Sequence, residues 1–347
     1  MNKLTNRGNL KNKSITNEVL IDKRSYRIFK YWQKQGFPYY KTDKKFRQDE
    51  FNKFMKIDDK LNLDFNNKGF KFHNGGLSLA WSYHPHAFKV QCNNNKSPHD
   101  IFNSEERFTL AIRKALKGSF FKKQSFEDLM SSTDRGRETI RGYLRRVSGS
   151  QMVSNFRPVT ASSIYTLFCE EGDTVWDMSA GWGGRLLGSI KSKINYIGTD
   201  PSTKTMKGLK EMAKTFGRKT RSYELLTIGS EEYKPKKNSL DFAFTSPPYF
   251  DTEKYSNEKT QSYLKYSNIS TWKEKFLRKT IDNVYRGLKN NKFMALNVAD
   301  VRNYSSFEKD TVDIAESVGF KLVDTFDLIL SSQQSDQKSE PIFIFKK

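Results

Sequence analysis

The sequence predicts an α/β fold: a doubly wound, mostly parallel sheet with an antiparallel last strand, preceded by a basic N-terminal domain that is α-rich or α+β. Three observations predict it. From about residue 155 onward, short apolar runs bounded by turn residues alternate with stretches of helical period, the texture of repeated βαβ units. Small residues cluster after the first of these runs and two prolines follow the fourth, so the chain turns sharply out of the sheet at both places. The last two runs have no helical stretch between them, as an antiparallel strand inserted in the sheet would require.

The strands expected, in order, are 174–179, 196–200, 223–228, 240–245, 293–299, 321–330 and 342–345. Helices are expected at 203–215, 270–289 and 308–317. A catalytic domain is therefore assigned to residues 151–347, and residues 1–150 to a separate N-terminal domain.

Within that N-terminal part, residues 1 to about 25 are polar and read as a loose basic arm, and 26–71 alternate aromatics with lysines without a clear pattern. Leu77–Tyr83 alternates like a strand after Gly75-Gly76. Helical signals cover 105–117, 126–130 and a stretch from Thr133 or Asp134 to Val147. The last carries Arg135, Arg137, Arg141, Arg145 and Arg146. The three helices together fit a helix-turn-helix unit in which Arg137, Arg141 and Arg145 reach DNA, and a solvated basic helix is the competing reading.

The formal net charge is +22. Residues 1–150 hold 31 Lys and Arg against 15 Asp and Glu, while the remainder holds 30 against 24. The excess is thus N-terminal, and a field of that sign attracts polyanions and supplies phosphate contacts independent of sequence. DNA is the expected partner. Two cysteines give no disulfide framework, no apolar stretch approaches the roughly 20 residues of a membrane span, and the polar N-terminus has no signal-peptide core, so a cytoplasmic location is expected.

The first predicted strand ends at Asp177 and runs into Met178-Ser179-Ala180-Gly181-Trp182-Gly183-Gly184. Small residues there let a ligand approach the backbone at the carboxyl end of the sheet. The second strand ends in Asp200, whose carboxylate can accept hydrogen bonds from both hydroxyls of a ribose. The loop reads Gly-x-Gly, not the longer fingerprint that grips a pyrophosphate. A phosphate-free nucleoside cofactor, S-adenosyl-L-methionine, fits better. Asp177, Ser179, Ala180, Gly181, Gly183, Asp200, Pro201, Ser230 and Thr245 are its expected contacts, with Asp177 holding the amino-acid part directly or through water.

The fourth strand runs into Ser246-Pro247-Pro248-Tyr249. Two prolines fix φ and stiffen the exit from the sheet. An exocyclic base amine is a poor nucleophile, because its lone pair is delocalised into the ring. Acceptors aimed at its hydrogens, such as the Ser246 hydroxyl and the Pro247 carbonyl, favour an sp³-like nitrogen, and Tyr249 offers a face for a flipped base. Such a site works mainly by positioning and electrostatics.

Asp177 through Gly184, Asp200 and Ser246-Pro247-Pro248-Tyr249 resemble motifs I, II and IV of the S-adenosylmethionine-dependent amino-methyltransferases of DNA. Ser154-Asn155-Phe156-Arg157-Pro158 resembles that family's motif X, which implies cofactor roles for Asn155, Arg157 and Pro158. Glu340-Pro341-Ile342-Phe343-Ile344-Phe345 resembles its last strand. The resemblance covers roughly residues 150–347, is most specific in motif IV, and implies a Rossmann-like class I methyltransferase fold. A serine before the two prolines usually goes with N4 of cytosine, and Asp or Asn with N6 of adenine. Ser179 and Ala180 depart from the family's frequent aromatic after proline, and the motif order X, I, IV is among its less common ones.

N6 of adenine and an amine of RNA are the alternatives within the class. An inactive DNA-binding protein on the same fold is the alternative outside it, and the intact loop and tetrapeptide speak against it. Carbon-5 methylation would need a nucleophilic cysteine, usually after proline, and neither Cys92 nor Cys169 has that context. The long connection after Tyr249 reads as a lid, with Lys254 and Tyr255 near DNA. The four histidines, His73, His84, His86 and His99, lack metal-ligand spacing, so no metal is expected. Host self-marking, evasion of restriction and pairing with a cognate restriction enzyme all fit the sequence equally.

Overall fold

A computed structural model of the chain describes residues 4–64, 68–118, 124–331 and 338–347, with side chains from residue 17 onward apart from that of Leu61. The chain divides into two compact units, Met1–Tyr40 with Ala87–Val153, and Lys41–His86 with Ser154–Lys347. The last boundary falls between Val153 and Ser154, against an expected cut after residue 150. Residues 41–86, however, fold with the second unit and not with the first.

The first unit is helical: α1 (Leu4–Gln35), α4 (Pro98–Asn103), α5 (Glu105–Lys117), α6 (Phe126–Leu129) and α7 (Asp134–Leu144). The expected loose arm is therefore corrected to a helix that continues through Gln35. Its buried positions Ser25, Ile28, Phe29 and Trp32 recur at helical spacing. They pack with Phe108 and Ile112 of α5 and Ile140 and Leu144 of α7. So few apolar positions in a Lys- and Asn-rich run dilute the period. The starts of α5 and α7 are capped by side chains, with Ser104 accepting from Arg107 N and Thr133 from Gly136 N.

In the second unit, α2 (Lys44–Met55) and α3 (Leu77–Ser82) precede the sheet. The predicted strand at Leu77–Tyr83 is this helix. Gly76, at φ +81°, turns the chain into it, and Leu79 through Ser82 are all buried, so the apparent alternation has no exposed face behind it.

The strands are β1 (Leu63–Asp64), β2 (Gly69–Phe70), β3 (Thr174–Asp177), β4 (Asn195–Thr199), β5 (Tyr223–Leu226), β6 (Leu240–Thr245), β7 (Leu288–Asn297), β8 (Lys321–Ile329) and β9 (Ser339–Lys346). They form one sheet in the order β1-β2-β8-β9-β7-β6-β3-β4-β5. From β7 to β5 all neighbours are parallel, while β9 runs antiparallel to both β7 and β8. Counted from Thr174, the strands lie 3-2-1-4-5-7-6 with the seventh reversed, which is the class I methyltransferase fold.

Alternation along the strands builds the two faces. Val175, Phe242 and Phe244 pack on Ala161 and Ile164 of α8 (Pro158–Phe168). Trp176 and Ala243 pack on the opposite face against α12 (Ile269–Trp272), the π-helical turn Lys273–Arg278, α13 (Lys279–Gly287) and α14 (Phe307–Val318). Every residue of β6 is buried, as befits a central strand covered on both sides. Among the described residues, no helix is long and apolar enough to cross a membrane.

Candidate active site

Strands β3 and β6 are parallel neighbours at the point where the strand order reverses, the carboxyl-edge position at which open α/β sheets bind ligands. The loop after β3 leads into α9 (Gly184–Lys191) through Gly183, at φ +85°. That conformation suits glycine. Gly184 is required for a different reason, because a Cβ there would lie 1.7 Å from the Phe156 carbonyl oxygen. The 154–158 segment thus runs directly beneath the loop, and Asn155 Nδ2 donates to Trp182 O at 3.2 Å.

Asp177 is fully buried and its carboxylate is saturated from within. Arg185 Nε (2.7 Å) and Tyr196 Oη (2.6 Å) donate to Oδ2, and Thr245 Oγ1 (2.8 Å) and Ser179 N (3.2 Å) donate to Oδ1. Arg185 also donates to Ser179 O. The expected hold of Asp177 on a cofactor, directly or through water, is therefore corrected: each oxygen already has two donors from the chain, and the carboxylate braces the loop from behind. Thr245, likewise assigned as a contact, is buried between Asp177 and Ser179 N, which donates to it at 3.1 Å. That bond ties the last residue of the Pro-Pro strand to the glycine loop.

Asp200 has the opposite disposition. Gly181 N donates to Oδ2 at 3.0 Å and Ser202 N to Oδ1 at 2.9 Å, so each oxygen has one backbone partner and lone pairs to spare. Burial pushes its carboxyl up to about 6, against the opposing effect of those two N–H groups. Pro201 is half-buried beside it and its carbonyl accepts from Thr260 Oγ1 at 3.2 Å. Here the segment after Tyr249 returns over the tip of β4, and Glu258 adds bonds to Thr203 N and Oγ1 at 3.1 and 2.7 Å. Farther along, Lys265 of α11 (Ser262–Lys265) pairs with Glu231 and Glu232 beyond β5. Two buried polar atoms on this path, Gln261 Nε2 and Glu231 Oε2, have no hydrogen-bond partner. Orphaned buried groups are costly and rare, so this donor and this acceptor are open to a polar partner such as a bound ligand or an ordered water.

Ser246 and Tyr249 are half-buried and Pro247 is buried at the exit of β6. Tyr249 packs edge-on against Phe307, ring centroids 5.3 Å apart, and its hydroxyl reaches Glu340 Oε2 at 3.5 Å. Asn297 Nδ2 approaches the same oxygen at 3.5 Å and donates to Pro341 O at 3.1 Å. Burial raises the Glu340 carboxyl above the usual range and also raises the Tyr249 phenol. Glu340 and Asn297 were not singled out in the sequence. Their signal was slight: a polar residue at the end of β7, and an acid just before Pro341 at the start of β9.

The remaining predicted residues are distributed as follows. Arg157 donates through Nη1 and Nη2 to the carbonyls of Ile329 and Leu330, at 2.6 and 2.8 Å, and stacks over Phe72 at 4.2 Å. Pro158 opens α8. Ser230 is buried and hydrogen-bonded to Thr280 of α13 at 2.8 Å. Lys254 is exposed, while Tyr255 bonds Glu253 and its ring lies 5.9 Å from that of Trp182. In the helical unit, Arg141 is buried and donates to Pro38 O at 2.8 Å, and Arg137 donates to Tyr39 O at 3.3 Å. These two clamp the chain after α1 and are corrected from the DNA-facing role; Arg145 alone of the three is exposed. His84 is buried and His86 half-buried, both against Trp182, and burial lowers each imidazole to about 4.

No protein-family model matches the chain, and no curated protein matches it. Among solved structures it is similar to a TehB-like SAM-dependent methyltransferase from Corynebacterium glutamicum, at 12% identity and a TM-score of 0.38, over 56% of this chain and 89% of that one. It is also similar to a SAM-dependent methyltransferase from Aquifex aeolicus, at 17% identity and 0.38, over 53% and 88%. A SAM-dependent O-methyltransferase from Thermotoga maritima gives 13% and 0.39, over 56% and 67%. These likenesses are distant, and strand order and direction identify the fold.

Proposed function

We propose that this chain transfers a methyl group from S-adenosylmethionine to the exocyclic N4 amine of a flipped cytosine in DNA. The observation that carries the reading is the juxtaposition of Ser246-Pro247-Pro248-Tyr249 with the glycine loop on adjacent strands, locked together by the Thr245–Asp177–Ser179 bonds. The cofactor, when bound, supplies an electrophilic methyl group on a sulfonium. Asp200 accepts the ribose hydroxyls, Gly181 and Gly183 leave room for close approach to the backbone, and Asn155 steadies the loop from below. Ser246 Oγ and the Pro247 carbonyl accept the amine hydrogens and so direct the nitrogen lone pair toward the methyl. Two prolines and a buried strand keep these acceptors fixed, the preorganisation on which such electrostatic catalysis depends.

The test incubates purified protein with unmethylated DNA and S-adenosylmethionine, followed by digestion to nucleosides and mass spectrometry. N4-methylcytosine is expected. N6-methyladenine would retain the mechanism and replace the base, and methylated RNA alone would replace the polymer. Ser246→Ala should bind the cofactor normally and lose most turnover, on the order of the 10²-fold cost of removing one positioned polar group. A variant as active as the parent would remove this account of amine activation.

A further inference from the structure

The helical unit holds 22 Lys and Arg against nine Asp and Glu, and α1 sorts its share of them by face. Its buried residues Ser25, Ile28, Phe29 and Trp32 define one side. On a 3.6-residue helix, Lys23, Arg27, Lys30 and Lys34 fall in a single stripe on the opposite side. All four are exposed. The acids of this helix point elsewhere: Asp22 pairs with Arg113 and Glu18 with Lys117 of α5, each at 2.8 Å. Among the described residues, no carboxylate pairs with any member of the stripe. Arg27, with Arg24 beside it, lies over the Phe126 ring at 5.2 and 5.7 Å, and Lys30 lies over Tyr26 at 5.8 Å. Aromatic seats of this kind limit the wandering of long cationic side chains.

We infer that the outer stripe of α1, Lys23, Arg27, Lys30 and Lys34 with Arg24, is the surface on which this protein holds the phosphate backbone of duplex DNA. The stripe spans about 16 Å at 1.5 Å per residue, and duplex DNA presents one phosphate charge per roughly 1.7 Å of axis, so every cation of the stripe has a phosphate within its span. In the Arg row of α7, Arg137 and Arg141 are engaged with backbone carbonyls of their own unit, so that row offers no comparable run of exposed, unengaged cations. The inference rests on the proposed DNA substrate for the identity of the polyanion. It makes no use of the methyl-transfer chemistry.

The test measures duplex binding by fluorescence anisotropy over a salt series, without cofactor. Replacing Lys23, Arg27, Lys30 and Lys34 by glutamine should weaken binding at least tenfold at low salt. It should also lower the slope of log K against log salt by about 3 to 4, the loss expected for four phosphate contacts. Cofactor affinity should not change. An Arg variant at Lys23, Lys30 and Lys34 should retain the parental slope, which keeps the test valid if the glutamine variant folds poorly. A charge-matched control replaces the exposed Lys204, Lys207, Lys210 and Lys214 of α10 (Thr203–Phe216). Parental affinity and slope in the stripe variant would overturn the assignment and leave the DNA reading standing, and so would an equal loss in the α10 control. No duplex binding by the parent protein would overturn both.

Discussion

The hydroxyl of Tyr249 and Oε2 of Glu340 stand 3.5 Å apart, joining the end of the Pro-Pro tetrapeptide to the first residues of the reversed strand. The reversal makes this contact available. Because β9 runs against β7, it begins at the edge where β6 and β7 end, and it brings a carboxylate to the carboxyl edge of the sheet. The same oxygen faces Asn297 Nδ2, while no described residue bonds Oε1. Glu340 therefore meets both the tyrosine and Asn297 through one oxygen.

Glu340→Ala is expected to release Tyr249 and lower kcat for methyl transfer about tenfold, the equivalent of ~1.5 kcal/mol for a hydrogen bond to a charged group. Cofactor Kd should stay as it is, because Glu340 bonds Tyr249 and Asn297 and no residue of the glycine loop. Parallel turnover assays and calorimetric titrations check the pair of values. An unchanged kcat would show that Tyr249 needs no anchor.

Asp200 gives a pH signature with two opposite signs. Its carboxyl titrates at about 6 in the folded chain, raised by burial, against 3.8 for the ordinary group. A raised carboxyl contributes stability that is complete below the unfolded value and is lost as pH rises through the folded one. The free protein should therefore gain thermal stability between pH 7 and pH 4 relative to Asp200→Asn. Cofactor binding needs the ionised acceptor, so affinity should fall as pH drops below about 6, and Asp200→Asn should bind weakly at every pH. Thermal melts with and without S-adenosylmethionine across this range check both trends, and parallel curves for parent and variant would place the titration elsewhere.

Most of the second unit was legible in the sequence because its strand ends coincide with glycine and proline turns. The 240–245 strand and its Pro-Pro exit were read to the residue, and α10 and α14 to within one. What was not legible depends on partners distant in sequence. Asp177 at a strand tip looks available until Arg185, Tyr196 and Thr245 are folded around it. Arg141 looks like a DNA contact until Pro38 and Tyr40 close over it. Glu340 gains its meaning only from the antiparallel insertion of β9. The N-terminal helix was missed because its apolar face holds few residues among lysines and asparagines.

Gly184 gives a test of the contact beneath the cofactor loop. A methyl group there would meet the Phe156 carbonyl oxygen at 1.7 Å, and that oxygen belongs to backbone which cannot swing aside as a side-chain tip would. Gly184→Ala should displace the 154–158 segment, break the Asn155–Trp182 bond and weaken S-adenosylmethionine binding at least tenfold. Far-ultraviolet circular dichroism should show the helices intact. Parental affinity in this variant would mean that the segment is not packed on the loop in solution.

The Asp177–Arg185 pair should be the most sensitive point in the second unit. Both side chains are removed from water, at 0% and 6% exposure, and they meet at 2.7 Å. A buried pair is not by itself stabilising, since the Coulomb attraction roughly offsets the desolvation of two ions, but a single buried charge left behind is costly. Asp177→Ala and Arg185→Met should each destabilise the chain by roughly 3–5 kcal/mol, read from the shift in urea midpoint. Asp177→Ala should cost more of that range, because Tyr196 and Thr245 also lose their acceptor. The double variant should lie above the sum of the singles in stability, because no lone ion remains. Strict additivity, or single losses below about 1 kcal/mol, would mean that water reaches this pair and that the loop is braced from elsewhere.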